Sequence, residues 1–249
     1  MKKTSFFRKF RALVSGFILS CGLFSCNLPV FASEVNMILT QWSGFHVTVD
    51  DTKHETVSRL GKKMRVGDVV FIQNRIYPFQ RVSVATRSWT NHVGVVVDVS
   101  GEEPIVAEST FPTSRRTTLS RFVGKSKSGR VAISRLDKVL SEEEQRKIVD
   151  ASQKRLGIFY DTGFDLNSEN EFCSRFVREI LAESTGTAVG EVETFAELLS
   201  RNPEAGLGFW RLWFFGRIPW SRQTVTPASL LRDPRFHTVF DGYAHTEKS

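Results

Sequence analysis

Cysteine is scarce in this chain: three residues in 249, at positions 21, 26 and 173. No paired Cys/His motif occurs, so nothing in the spacing points to zinc. A glycine-rich phosphate loop is also missing, which removes the usual signature of nucleotide binding. There is no internal repeat and no long low-complexity tract, so repeat arrays and disordered tails are excluded. Acidic residues are absent from the first 32 positions, where Lys2, Lys3, Arg8, Lys9 and Arg11 stand. That segment therefore carries five of the seven net positive charges. The remainder is close to neutral, and the pI of about 9.5 gives no reason to expect a nucleic-acid partner.

What is present begins with the order of that N-terminus. A basic start leads into a mostly apolar run from Ala12 to Phe31, with small Ala32 before a possible cut. This order is typical of an export signal. Two alternatives stay open. "LFSC" (23–26) is similar to a lipoprotein box with Cys26 as the lipidated residue, and residues 12–32 are about long enough for a retained anchor. Each places the protein in the bacterial cell envelope, periplasmic or membrane-anchored, with membrane contact through this segment. After cleavage at either point, Cys173 is the one free thiol. A lone thiol in an exported protein suggests intermolecular pairing or a reactive role.

Residues 33–63 are polar and mixed and form an expected extension ahead of a domain covering 64–249. His46 and His54 lie there without metal-ligand partners and are expected to be solvated. "MRVGDVVFIQ" (64–73) carries a turn at Gly67-Asp68 and then a β-branched run, which predicts a strand. An Arg-, Ser- and Thr-rich loop is expected over 74–90, and strands at 91–99, 104–110 and 129–136. Ser141 with Glu144 makes a capping box that opens a helix to about Leu156. Phe172, Phe176, Val177, Ile180 and Leu181 recur at helical spacing around Cys173. Thr194 with Glu197 repeats the capping box, and Pro227 after Thr226 suits a short helix. Asp161 and Asp165 flank a glycine turn and have capping roles there. His237 and His245 have no ligand set near them. Strands first and helices later predict an α+β domain with an antiparallel sheet.

His92 opens one expected strand and Glu108 closes the next. If Val99-Ser100-Gly101 is a three-residue hairpin loop, Gly101 takes its left-handed position. Asp98 then faces Glu102, and His92 faces Glu108 directly, about 5 Å apart at Cβ. A slip of one residue would put them on opposite faces. A carboxylate beside an imidazole fixes its tautomer and leaves the other nitrogen free as a base. Cys173 sits in the first turn of its helix, where the macrodipole and a nearby imidazolium favour a thiolate. Free N–H groups at that terminus can also hold an oxyanion. Cys173, His92 and Glu108 then have the roles of nucleophile, base and orienting group in covalent acyl transfer. The bland alternatives are a buried apolar thiol and a hydrogen-bonded sheet histidine.

"VGDVVF", "WTNHVGVVVD", "IVAES" and "FCSRFVREI" together resemble the permuted papain-like cysteine hydrolases of the NlpC type, specifically the YiiX/YebB-like group. The usual order puts the cysteine helix before the histidine strand; here His92 precedes Cys173. The resemblance spans roughly residues 64–240, including "VGEVETFAELLSRNPEAGLGFWRLWFFGRIPW" and "TVTPASL". It implies a permuted papain-like fold, with an antiparallel, barrel-like sheet packed against the Cys173 helix. It also implies Cys173 as nucleophile, His92 as base and Glu108 as its partner, with no metal and no cofactor. Tyr160, in "GIFYDTGFD", falls where such proteins often place a tyrosine lining the site. Trp89, inside the second motif, is the other candidate for substrate contact. The exported, extended N-terminus is the departure from the group.

The expected function is a cysteine hydrolase that cleaves an amide bond through an acyl-enzyme. Its expected substrate is a peptide or peptidoglycan fragment of the envelope. One alternative is a lipid acyltransferase or esterase with the same triad. Another is a non-catalytic envelope binding protein with an ordinary thiol. Phe209, Trp210, Trp213, Phe214 and Phe215, with Arg211 and Arg217, could meet a membrane interface. They could equally close a core or wall an apolar groove. Gly216 and Pro219 break the segment, which favours core or groove.

Overall fold

The apolar run after Gly67 becomes β2 (Val69–Asn74) in the computed structural model, which describes residues 53–246. Its near-continuous hydrophobicity follows from its place as the middle strand of a seven-stranded sheet covered on both faces. Val69 and Phe71 enter one core cluster and Val70 and Ile72 the other, as the period of two requires. The other strands are β1 (His54–Thr56), β3 (His92–Asp98), β4 (Ile105–Glu108), β5 (Arg115–Thr118), β6 (Ser126–Leu136) and β9 (Phe236–His245). Their order is β1-β9-β6-β2-β3-β4-β5, antiparallel except where β1 meets β9. The order has two ends, so the sheet is open rather than a closed barrel among the described residues. A separate ribbon pairs β7 (Val192–Thr194) with β8 (Gln223–Val225).

Each face is covered by helices whose apolar stripes match it. The first two helices are α1 (Val57–Gly61) and α2 (Tyr77–Thr86); α3 (Leu119–Val123) follows β5. Leu60, Leu119 and Phe122 from α1 and α3 pack on Ile72, Val96 and Val106. The opposite face takes α4 (Glu142–Lys154) and α5 (Cys173–Thr185), through Ile148, Phe176, Val177 and Ile180. A third cluster joins α2 to α6 (Phe195–Ser200) and α7 (Leu207–Trp213) around Phe195, Leu199 and Trp210. α8 (Pro227–Leu231) completes the set. The Ser141/Glu144 and Thr194/Glu197 capping boxes form, and Thr226 caps the helix that Pro227 opens.

Several expectations change. Residues 74–90 are not a loop, since α2 runs through them with Pro78 in its first turn. No acidic residue marks its start, no side chain caps it, and Arg87 ends it at φ 46°. The end of the expected extension is built into the domain: β1 joins the sheet, and Val57 and Leu60 are buried. β1 was hidden in a polar context, as was β5. Residues 1–32, with their three processing alternatives, and His46 lie outside the described residues. Among the described residues no helix is long and apolar enough to cross a membrane.

Candidate active site

The hairpin that carries His92 and Glu108 is wider than expected. Val95 pairs with Ala107, Val96 with Val106 and Asp98 with Ile105, with a register shift between Val96 and Asp98. The connection is therefore residues 99–104, not the three-residue loop 99–101. At this register Glu108 lies across from Gly94, two residues along from His92. A displacement of two keeps the face, where a displacement of one would have lost it. His92 and Glu108 are thus diagonal neighbours, and their side chains still close to 2.6 Å between Nε2 and Oε2. Gly94 keeps this corner open. A Cβ there would come within 2.6 Å of Val106 Cγ1 and 3.1 Å of Phe122 Cε2.

Glu108 is fully buried and serves three cations. Oε2 accepts from His92 and from Lys125 Nζ, and Oε1 accepts from Arg115 Nε at 3.2 Å. Burial pushes its carboxyl up, but His92 and Lys125 outweigh burial and hold it at about 2. His92 is also fully buried, stacked on Phe122 at 5.5 Å and edge-on to Phe79 at 5.8 Å. Burial alone would lower the imidazole. Hydrogen bonding with Cys173 and with Glu108 overrides it, and the net direction is upward. Because Nε2 is committed to Glu108, Nδ1 is the nitrogen left for the thiol. It is buried and has no hydrogen bond of good geometry.

Cys173 is the first residue of α5, with Phe172 as an extended N-cap that supplies no side-chain cap. Its N–H therefore has no partner within the helix and points to the Tyr160 oxygen. The thiol is buried and sits beside both His92 and Tyr160. Tyr160 forms an isolated bridge to Glu171, two residues before Cys173, which brings its ring to the helix start. Its hydroxyl is buried without a good hydrogen bond. Burial, and then the charge of Cys173, hold the phenol well above its ordinary range, so it keeps its proton as a donor. Asp161 caps the following turn by accepting from Gly163 and Asp165 N–H.

A narrow cleft, open to solvent, reaches Cys173 and Tyr160. Its walls are mostly apolar, with Phe79, Phe164, Phe172, Phe195, Trp210 and Val225 among them. The aromatic stretch divides. Trp210 is buried and walls the cleft, whereas Leu212 and Phe215 face solvent. Trp89 is not among the cleft residues; Arg130 lies 4.0 Å over its ring. The structure thus brings Cys173, His92, Glu108 and Tyr160 together and leaves Trp89 apart. Lys125, Arg115, Phe79 and Phe122 are the participants that sequence reasoning missed. His237 pairs with Asp137 on the surface, and His245 is exposed.

Comparisons with known proteins bear on the family and the fold. A sequence profile described as permuted papain-like amidase enzyme, YaeF/YiiX, C92 family matches residues 63–240. The uncharacterized protein YiiX of Escherichia coli strain K12 is 25% identical over 175 residues, covering 70% of this chain and 85% of the relative. A solved structure described as the metalloprotein YiiX of Escherichia coli O157:H7 superposes with a TM-score of 0.67 at 24% identity, covering 72% of this chain and 98% of its own. That description raises the question of a metal here. Among the described residues no three His, Cys, Asp or Glu side chains come together as a metal site. Cys173 and His92 offer two donors, and Glu108 is already engaged by His92, Lys125 and Arg115. These residues do not fit a resident metal, and no step below passes through one.

Proposed function

This chain belongs to the permuted papain-like amidase family, and on that premise we propose that it is a cysteine hydrolase opening an amide bond through an acyl-enzyme at Cys173. One observation carries the reading: His92 is held by Glu108 through Nε2, so its buried Nδ1 is left to face the thiol. Nδ1 takes the thiol proton, and the sulfur attacks the carbonyl carbon. The Cys173 N–H and the Tyr160 hydroxyl are the donors for the oxyanion. His92 returns the proton to the departing amine, then activates water to release the acid and restore the thiol.

The export-type leader directs the search to the cell envelope, with wall peptides as the first substrates. The apolar cleft favours a second reading, in which a long-chain acyl group occupies it and the same three residues act as an esterase or acyltransferase. The test is peptide-resolved mass spectrometry of the full chain. Its first part is the rate of iodoacetamide alkylation at Cys173 against pH, beside His92→Ala. The expected result is alkylation persisting well below the ~8.5 of a free thiol and lost in the histidine variant. The second part offers wall peptides or long-chain acyl esters and looks for an acyl adduct on Cys173. An inert thiol, or one indifferent to His92, would sink the enzyme reading and leave a binding protein.

A further inference from the structure

Lys125 lies in the short link between α3 and β6, and nothing in the reaction above uses it. Its backbone N–H donates to the Phe122 carbonyl at 3.3 Å. Its side chain, 24% exposed, runs inward to Glu108 Oε2. Nζ also stands 4.4 Å from the centroid of the Phe122 ring, and that ring stacks on His92. Lys125 and His92 therefore share one carboxylate oxygen and contact one aromatic ring.

We propose that Lys125 is a positioning residue that, through Glu108, sets how tightly the Cys173–His92 pair holds its proton. The inference rests on the Cys–His reading above. A buried carboxylate facing an imidazole alone stabilises the imidazolium strongly, and a tightly held proton is poorly returned to a leaving group. A fixed ammonium on the same oxygen draws off part of that attraction and repels the imidazolium. The same charge favours a thiolate at Cys173. The charged and titratable groups around it are Glu108 from β4, Arg115 from β5, His92 from β3 and Cys173 from α5. Its charge lowers the proton affinity of His92, and Cys173 in turn favours the charged lysine. Arg115 reaches only Oε1 and its side chain is 52% exposed, so it does the same more weakly.

The experiment compares Lys125→Met, Lys125→Gln and Lys125→Arg in the full chain. Iodoacetamide alkylation of Cys173 is followed by peptide mass against pH, with near-UV circular dichroism as the folding check. Loss of the charge in the Met and Gln variants is expected to move both inflections of the profile upward by about one pH unit. Arginine is expected to leave the profile in place. A purely structural lysine would lower the folded fraction without moving the inflections. Met and Gln profiles that superimpose on the wild type would overturn the proposal, as would an Arg profile displaced as far as that of Met. If neither neutral variant folds, the arginine variant decides alone, because a displaced profile there overturns it. A wild-type profile with one ordinary thiol inflection, unchanged in His92→Ala, would instead overturn the Cys–His reading itself.

Discussion

Two buried carboxylates belong to the elements that meet at Cys173, and they are pulled in opposite directions. Glu108, at the end of β4, is held at about 2, whereas Glu171, two residues before Cys173, is pushed up to about 7. Both start from 4.5, and for both the largest single cause is burial, which pushes upward. The segments even touch, since Ser109 Oγ donates to the Glu171 carbonyl at 2.9 Å. What differs is the partners. Glu108 has direct donors in His92, Lys125 and Arg115. Arg155 and Arg175 stand 3.6 and 4.0 Å from Glu171, Glu179 adds a like charge, and Oε2 has no donor. Burial alone therefore does not decide ionisation; close donors do. The site spends its direct donors on the carboxylate that orients the base.

The strongest way to break this contrast is Glu108→Gln. It removes the anion that fixes His92 and leaves Lys125 partly buried without its counter-charge. Alkylation of Cys173 at neutral pH, and turnover of any acylating substrate, are expected to fall by about 10²-fold or more. Stability is expected to fall by about 3 kcal/mol, the scale of breaking a buried pair. The sign with pH follows from the lowered carboxyl. Its contribution is present above about 4.5 and lost as the pH falls toward about 2. Urea unfolding should therefore show the gap between wild type and variant narrowing at pH 3 compared with pH 7. A gap of equal size at both would mean that ionised Glu108 is not what holds the corner together.

Glu171→Gln should do the reverse. A raised carboxyl gives stability that is full below about 4.5 and lost as the pH rises through about 7. The wild type should lose up to about 3 kcal/mol across that interval, and the glutamine variant should not. At pH 8 the variant is expected to be the more stable protein by about 1–3 kcal/mol, with Cys173 reactivity within about twofold because the side chain does not line the cleft. A variant less stable than wild type at pH 8 would show that Arg155 and Arg175 compensate Glu171 after all, and the contrast would collapse.

How much of this could be read from the sequence depends on range. The Cys173 helix and the capping boxes at Ser141 and Thr194 rest on neighbours three or four residues apart, and they were legible. The pairing of His92 with Glu108 was legible as a matter of parity. The wrong loop still gave the right face, because the error was two residues. α2 was missed because its start carries neither an acidic residue nor a side-chain cap, and β9 because its place between β1 and β6 depends on contacts from the far end of the chain. Lys125 had no signal at all. In "VGKSKSGR" it looks like any surface lysine, and only the fold of α3 into β6 turns it toward Glu108. Trp89, the first residue of the second motif, carries no signal of its direction either: its ring lies under Arg130 and it is not among the cleft residues.

The smallest change tests whether Glu108's partners form one unit or a graded set. Arg115 touches Oε1 with Nε at 3.2 Å, from an exposed position at the sheet edge. Water screens it, so Arg115→Met is expected to cost about 0.5 kcal/mol of stability or less. That cost should shrink further at high salt, because the exposed guanidinium lies within reach of counter-ions. The Cys173 alkylation profile should move by no more than a few tenths of a pH unit, since His92 and Lys125 remain on Oε2 and Glu108 stays ionised at neutral pH. Thermal melts in low and high salt, read beside that profile, check both statements. If Arg115→Met costs as much as Glu108→Gln, the carboxylate depends on all three donors together. The low value at Glu108 would then come from the closed network, and its difference from Glu171 would be one of completeness rather than of the nearest donor.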